Sequence, residues 1–491
     1  MRCRALGAVV ALGMGLLVAP PAHAATAARP YDFDGNGRPD LAVGAPGLRV
    51  TSVRDTGGVV VLPASASGLS LSEKIVSQSS RGLPGASETG DQFGAAIASA
   101  DFDVDGYADL AIGQPGEAAG TLESAGAVTI VYGSSRGLDT TRSRGIGSPA
   151  GPDDFARFGT ALVAGDFDDD GFPDLAVGAP GEDVDQGQDE DFHPSGTVTV
   201  LRGGDDGITT TGAVTLRRQG QTNFDVQFGT VLAAGDLDQD GTSDLVVGAP
   251  GSGGGDDRYP GSVSYCLGRT SGPTGCTQVV RGLDLAGLDA LAVGNMSSTS
   301  RPEIVVGVTN SVEDDPGHVH ILQLQAGTPL TVARRLVLTQ NSGGVPGSDE
   351  PADGFGASLA IGDIDRDGFA DLAVGAPGED EGAGRVTIVQ GAASGWRGSG
   401  NYFYDQNTAG IPGGMEEGDL FGWRVTLLDH DRDGRLDLTV GAFGENSDAG
   451  AITTLRGSGT RFTTNGSRTF GLATLGYAYP ADALFGFAVG R

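Results

Sequence analysis

Asp166 to Leu175 reads DFDDDGFPDL, which sets carboxylates at positions 1, 3, 5 and 9 around a glycine at 6. The pattern recurs as DFDVDGYADL from Asp101, DLDQDGTSDL from Asp236, DIDRDGFADL from Asp363 and DHDRDGRLDL from Asp429, and as DFDGNGRPDL from Asp32. Such loops suit calcium, a hard cation that takes six to eight oxygens at about 2.3 to 2.6 Å, and the glycine permits the tight turn that converges alternate side chains. The candidate ligands are Asp32, Asp34, Asn36 and Asp40; Asp101, Asp103, Asp105 and Asp109; Asp166, Asp168, Asp170 and Asp174; Asp236, Asp238, Asp240 and Asp244; Asp363, Asp365, Asp367 and Asp371; and Asp429, Asp431, Asp433 and Asp437. Position 7 would add its backbone carbonyl.

Acidic turns without metal are the alternative. A turn needs one Asp, however, and unneutralised clusters of three or four carboxylates in fixed phase repel. An EF-hand is excluded, because position 12 is apolar in every copy (Val43, Ile112, Val177, Val247, Val374, Val440) where a bidentate acid is required. About six Ca²⁺ ions are expected, structural rather than catalytic, since saturated oxygen ligation leaves no open coordination position.

Other chemistry is sparse. The chain has no H-E-x-x-H and no phosphate loop, and no catalytic residue is assigned. His318 and His320 lie two apart on a strand and face one way; an exposed strand face is expected there in preference to a transition-metal site. His430 sits inside a calcium loop at a non-ligand position. Trp396, Tyr402, Phe403 and Tyr404 fit packing better than sugar stacking. Glu182 to His193 and Gly251 to Tyr259 are candidate binding-face segments or plain solvated insertions.

The loops need short antiparallel strands to hold them. Their first positions fall at 32, 101, 166, 236, 295, 363 and 429, a period that marks an array of supersecondary units. Phe-Gly opens the strand before five loops, at Phe93, Phe158, Phe228, Phe355 and Phe421. After most loops a strand ends in a Gly-Ala-Pro-like turn, as at Gly44-Ala45-Pro46 and Gly178-Ala179-Pro180. A β-branched third strand and a weaker fourth follow. Seven such units give an all-β, seven-bladed β-propeller. The first unit lacks a Phe-Gly strand and the C-terminus supplies Phe485-Gly486 without a loop, so the ring is expected to close by pairing N- and C-terminal strands.

The fifth unit departs. Asn295 to Glu303 keeps polar groups but one carboxylate, and Gly287-Leu288 stands where Phe-Gly is expected. No Ca²⁺ is expected there; Arg301 or internal hydrogen bonds would satisfy the loop instead.

Residues 1–24 read as a secretory signal peptide, with Arg2 and Arg4, an apolar run from Ala5 to Ala19 and a small-residue cleavage site at Ala22-His23-Ala24, leaving 25–491 as the propeller. Secretion to the extracellular space follows, with no membrane span and a monomer expected. In that compartment Cys266 and Cys276 are expected to pair. The formal charge of −32, or −34 without Arg2 and Arg4, argues against a nucleic-acid partner.

Phe-Gly, the acidic loop and Gly-Ala-Pro, in that order across residues 31–491, resemble the FG-GAP repeat family, whose best-known members are the seven-bladed N-terminal propellers of integrin α subunits. The resemblance implies calcium between the first two strands of a blade and partner contact on the opposite face. No thigh or membrane-spanning segment follows, so receptor signalling is not implied. The expected role is a calcium-binding binding or adhesion module for an extracellular protein or glycan. A lectin-like carbohydrate binder is the alternative, followed by a polysaccharide lyase or hydrolase.

Overall fold

Five-residue apolar runs separated by glycine-rich turns cannot bury themselves locally; they must pair edge to edge and then stack face to face. The computed structural model describes residues 27–50, 53–183, 195–218, 226–251, 260–309, 315–477 and 481–490. The chain is all-β and forms a seven-bladed β-propeller of four-stranded antiparallel sheets. From inner to outer strand, blade 2 runs Ala96–Ala100, Asp109–Gln114, Ala127–Tyr132 and Asp139–Ile146. Blades 3, 4, 5, 6 and 7 repeat this order with inner strands Ala161–Gly165, Val231–Gly235, Leu288–Gly294, Ser358–Gly362 and Arg424–Leu428.

Each second strand is buried along its whole length, as in Asp174–Ala179 and Asp371–Ala376. Its residues pack between blades: one apolar cluster joins Val386 and Ile388 of blade 6 to Phe421 and Val440 of blade 7. Stability thus resides in the blade interfaces, and each blade depends on its neighbours.

The Phe-Gly motif has a specific job in that packing. Phe93, Phe158, Phe228, Phe355, Phe421 and Phe485 are fully buried, and Phe93, Phe158, Phe421 and Phe485 each bridge a glycine of the preceding blade. The following glycine adopts left-handed φ (93° at Gly94 and 98° at Gly159), and its N–H donates to the glycine carbonyl of the Gly-Ala-Pro turn in its own blade, as Gly94 does to Gly113 at 3.0 Å. A Cβ on Gly113 would stand 2.1 Å from the Gly159 carbonyl oxygen of the next blade. Both glycines are therefore fixed by close approach of backbones. In blade 5 the role of the Phe falls to Leu285, fully buried in the short 3₁₀ turn Leu283–Leu285, whose carbonyl oxygen lies 1.9 Å from where a Gly261 Cβ would be. Gly287-Leu288 is not the substitute; the replacement lies two residues earlier.

Blade 1 is built from both ends of the described chain. Its inner strand is Ala488–Val489, paired with Leu41–Ala45 through Val43↔Val489 and Gly44↔Ala488, and Gly58–Leu62 and Lys74–Val76 complete the sheet. Cys266 and Cys276 are disulfide-bonded. Among the described residues, no helix is long and apolar enough to cross a membrane. The expected signal peptide, and the insertions beyond Asp183 and Gly251, lie outside the described residues.

Candidate metal centres

In blades 2, 3, 4, 6 and 7 the acidic loop connects the first and second strands, in blade 1 it leads into the second strand alone, and in all six it is anchored by the side chain at position 2. Phe33, Phe102, Phe167 and Leu237 are fully buried, and Ile364 and His430 nearly so. The residue at position 4 takes left-handed φ along with the glycine at position 6: Val104 has φ 50° and Gly106 94°, Gln239 has 62° and Gly241 95°. This geometry aims consecutive N–H groups inward at the first carboxylate. Asp101 accepts from Asp105 N at 3.0 Å and Gly106 N at 3.0 Å, and Asp429 from Asp433 N at 3.0 Å and Gly434 N at 2.9 Å. Val104 is β-branched in a conformation that costs such residues on the order of 1–2 kcal/mol. Val104→Asn, which tolerates that conformation, is expected to stabilise the protein by about 1 kcal/mol, read as a higher urea midpoint with unchanged m-value.

Position 9 is the most deeply buried of the acidic positions. Its Oδ1 accepts from the backbone just past the third strand, from Ala64 N to Asp40 at 2.7 Å, Gly133 N to Asp109 at 2.8 Å, Gly203 N to Asp174 at 2.9 Å, Gly268 N to Asp244 at 2.8 Å, Gly391 N to Asp371 at 2.9 Å and Gly457 N to Asp437 at 2.9 Å. In five loops Oδ2 accepts from the position-2 N–H. Each acidic loop is thereby tied to its third strand.

Five loops bring three carboxylate oxygens within 4.8 Å of one another: Asp101, Asp103 and Asp109; Asp166, Asp168 and Asp174; Asp236, Asp238 and Asp244; Asp363, Asp365 and Asp371; and Asp429, Asp431 and Asp433. Positions 1, 3 and 9 converge in four of these, and positions 1, 3 and 5 in the last. Asp105, Asp170, Asp240 and Asp367 at position 5 instead cap the N–H of position 7, at 2.9 to 3.1 Å. In blade 1 Asn36 does the same for Arg38 at 2.9 Å, and Asp32 accepts from Gly37 N at 2.7 Å.

Buried oxygens without partners test whether these loops fit a cation. Asp103 Oδ1, Asp166 Oδ1, Asp168 Oδ1 and Asp238 Oδ1 are buried and accept no hydrogen bond, as is Asp32 Oδ1 in blade 1. Burial without partners is costly for carboxylate oxygens. An all-oxygen donor set of this kind fits Ca²⁺. Burial, opposed by the backbone hydrogen bonds and reinforced by neighbouring carboxylates, pushes Asp109 up to about 8, Asp40, Asp174 and Asp437 to about 7, and Asp244 and Asp371 to about 6. A bound divalent cation reverses that tendency by favouring the ionised forms.

Arginines absent from the sequence-based ligand set reach the same loops. Arg142 pairs with Asp103 at 2.9 Å and Asp105 at 3.2 Å, and Arg269 with Asp238 at 3.3 Å and Asp240 at 3.0 Å. Arg202 pairs with Asp168, Arg397 with Asp365 and Asp367, and Arg456 with Asp431. Three of them, Arg202, Arg269 and Arg456, adjoin the glycine that binds position 9. That adjacency was the available sequence signal.

The fifth loop is satisfied internally. Glu303 is fully buried. It accepts from Met296 N at 2.8 Å and from the hydroxyls of Ser297 and Thr299. Hydroxyl donors at positions 3 and 5 thus do what a cation would do elsewhere. Arg301 reaches out instead to the Leu237 carbonyl of blade 4 at 2.7 Å.

The histidine pair corrects one expectation. His318 and His320 do share a face, with rings 4.8 Å apart, but the face is not exposed. His320 is buried, accepts from Arg335 Nε at 3.1 Å, and is held down to about 4 by burial and then by Arg335. His430 is buried against the Pro39 carbonyl at 2.7 Å, and burial likewise lowers it to about 4; it joins blade 7 to the blade 1 loop. Tyr402 and Tyr404 pack inside, and Tyr404 donates to the Phe462 carbonyl at 2.7 Å. Trp396 is half-buried against the blade 5–6 core, and Phe403 is exposed.

Residues 24–62, 93–131, 158–201, 228–266 and 355–389 match the FG-GAP repeat family. Phosphatidylinositol-glycan-specific phospholipase D of Rattus norvegicus is 36% identical over 169 residues, covering 33% of this chain and 19% of that protein. Integrin alpha-PS5 of Drosophila melanogaster is 37% identical over 171 residues (34% and 16%), and integrin alpha-V of Gallus gallus 34% over 177 residues (33% and 16%). The chain thus spans 16 to 19% of the length of these curated relatives.

Proposed function

This chain is an FG-GAP repeat protein folded as a seven-bladed β-propeller, and on that premise we propose that it is a secreted, calcium-braced binding and adhesion module. The observation that carries the reading is the convergence of three carboxylates in each of five loops, with buried carboxylate oxygens that lack partners in the loops of blades 2, 3 and 4. Calcium there would cross-brace the first two strands of a blade to its third through position 9. The opposite face would then be held rigid for a protein or glycan partner. Similarity to two integrin alpha chains supports a binding role.

A pull-down from extracellular fluid with calcium, and again with chelator, tests the module. Capture of a specific partner only in calcium is expected; capture of nothing in either condition would remove the reading. Asp168→Ala is expected to lower calcium stoichiometry by one and the melting temperature by a few degrees, since one site at a hundredfold over its Kd contributes about 2.7 kcal/mol. Calorimetric titration of the purified variant reads both, and the other blades keep the fold.

A further inference from the structure

Each loop with four carboxylates has an arginine on it, and these arginines come from different places in the fold. Arg202 and Arg456 share one register position, the residue following the partner of position 10 (Leu175↔Leu201, Leu438↔Leu455). That position holds Tyr132 in blade 2, Leu267 in blade 4 and Gln390 in blade 6 (Leu110↔Val131, Leu245↔Cys266, Leu372↔Val389). An arginine reaches those three loops nonetheless: Arg142 from the fourth strand Asp139–Ile146, and Arg269 and Arg397 from the connections between third and fourth strands.

The common feature is the target. All five meet Oδ2 of position 3: Arg142 on Asp103 at 2.9 Å, Arg269 on Asp238 at 3.3 Å, Arg397 on Asp365 at 3.4 Å, Arg202 on Asp168 and Arg456 on Asp431. These aspartate side chains are only 2% to 19% exposed, and Oδ1 of Asp103, Asp168 and Asp238 stays buried without a partner. The guanidinium thus takes one oxygen and leaves the other to an ion. Asp169, an acid of the blade 3 loop at a non-ligand position, has no ion pair with an arginine among the described residues. Exposed ion pairs contribute little to stability by themselves, so a recurrence aimed at one ligand oxygen calls for another role.

Blade 1 is the exception that identifies the role. Asn36 replaces the fourth carboxylate, the register position holds Pro63 (Leu41↔Leu62), and Arg38 donates to the Asn36 backbone carbonyl at 3.5 Å; among the described residues no arginine pairs with Asp32, Asp34 or Asp40. Fourth carboxylate and arginine are therefore present together or absent together. Blade 7, where Arg435 also pairs with Asp433 at 2.9 Å, carries two arginines.

We propose, on the reading of these loops as calcium sites, that the five arginines set the calcium affinity of their loops. Each is an internal cation that offsets the fourth carboxylate. It holds the loop when the ion leaves, and its repulsion of the ion keeps binding reversible. A guanidinium a few ångströms from a divalent ion costs about tenfold in affinity even at the dielectric of water.

The variants that test this are Arg269→Gln, Arg269→Lys, and Arg269→Gln combined with Asp240→Asn, which gives blade 4 the composition of blade 1. Asp240 caps the Thr242 N–H at 2.9 Å as Asn36 caps that of Arg38 at 2.9 Å, so asparagine keeps the turn. Competition with a chromophoric chelator reads calcium affinity in the whole protein, and scanning calorimetry reads stability in chelator and in saturating calcium. Arg269→Gln should hold one ion per molecule about tenfold more tightly, and should melt about 1–2 °C lower in chelator but not in calcium. Arg269→Lys and the double variant should match wild-type affinity. Unchanged or weaker binding in Arg269→Gln, an equal loss of melting temperature in calcium and in chelator, or tightening in Arg269→Lys or the double variant as large as in Arg269→Gln overturns the assignment. Wild-type protein that binds no calcium removes the calcium reading and this one together, whereas calcium binding that Arg269→Gln leaves unchanged removes this one alone.

Discussion

Chelating calcium at pH 8 is expected to lower the melting temperature of the purified protein by about 15 °C. The size follows from five converged loops, each contributing about 2.7 kcal/mol at a hundredfold over its Kd, in a chain large enough that 1 kcal/mol moves the midpoint by roughly 1–2 °C. The cause is local and repeated: the partnerless oxygens of Asp103, Asp166, Asp168 and Asp238 and the buried position-9 carboxylates are unfavourable ionised without a counter-charge. The arginines offset part of this, but most pair with positions 3 and 5 and leave those oxygens unengaged. Scanning calorimetry with and without chelator measures the difference, and superimposable traces would sink the structural role of the metal.

The pH dependence of that effect has a definite sign. In the metal-free protein the position-9 carboxyls titrate at about 6 to 8, whereas in the unfolded chain they titrate near 3.9. Between those values the native state holds more protons, so metal-free stability falls as pH rises from about 4 to 8. Asp91 and Glu117 on the opposite face, pushed up to about 6 and about 7 by burial, act in the same direction. His320 and His430 oppose it: their folded values near 4 lie below the unfolded value, so they remove stability as pH falls from about 6.5 to 4. The carboxyls outnumber the histidines. In chelator the protein should therefore melt higher at pH 5.5 than at pH 8, and the increment from calcium should shrink at pH 5.5 because ligands must deprotonate to bind. An increment equal at both values would contradict the assignment of these carboxylates.

Blade number and ring closure were legible because the markers that set them are single residues in fixed phase. A Phe-Gly pair can be read directly, since both residues are dictated by the same close approach of backbones. The fifth blade was harder, because Leu285 fills the Phe site from a 3₁₀ turn and the sequence offered Gly287-Leu288 at the expected offset. In the loops, positions 1, 3 and 9 were visible as acids, but the left-handed residue at position 4 was not, being Val104, Asp169, Gln239, Arg366 or Arg432 in turn. Backbone geometry there is set by N–H groups converging on the first aspartate, and no residue type marks it. The pairing of arginines with positions 3 and 5 was hidden for another reason: Arg142 reaches Asp103 across 39 residues, and only the closed sheet makes them neighbours. The same holds for the burial of His320, which depends on Arg335 of the adjacent strand.

Removing residues 485–491 should open the ring, with a loss greater than that of any single contact in the segment. Phe485 is fully buried and bridges Gly450 of blade 7, while Ala488–Val489 pairs with Leu41–Ala45 of blade 1. Gly486 N donates to the Gly44 carbonyl at 3.2 Å, and Gly490 N to the Ala42 carbonyl at 3.0 Å. Phe485→Ala alone should cost about 3–5 kcal/mol, much as Phe158→Ala should, since both side chains are fully buried. The two kinds of change differ in what they expose. Phe158→Ala leaves every strand paired, but truncation bares the whole inner edge of Leu41–Ala45, an apolar strand whose free N–H and C=O groups template pairing with another chain. Truncated protein should therefore lose its single cooperative transition and form dimers or larger assemblies by light scattering, while Phe158→Ala stays monomeric with a lowered midpoint. A truncated chain that remains monomeric and melts with the intact protein would mean that the blades hold together without the shared sheet.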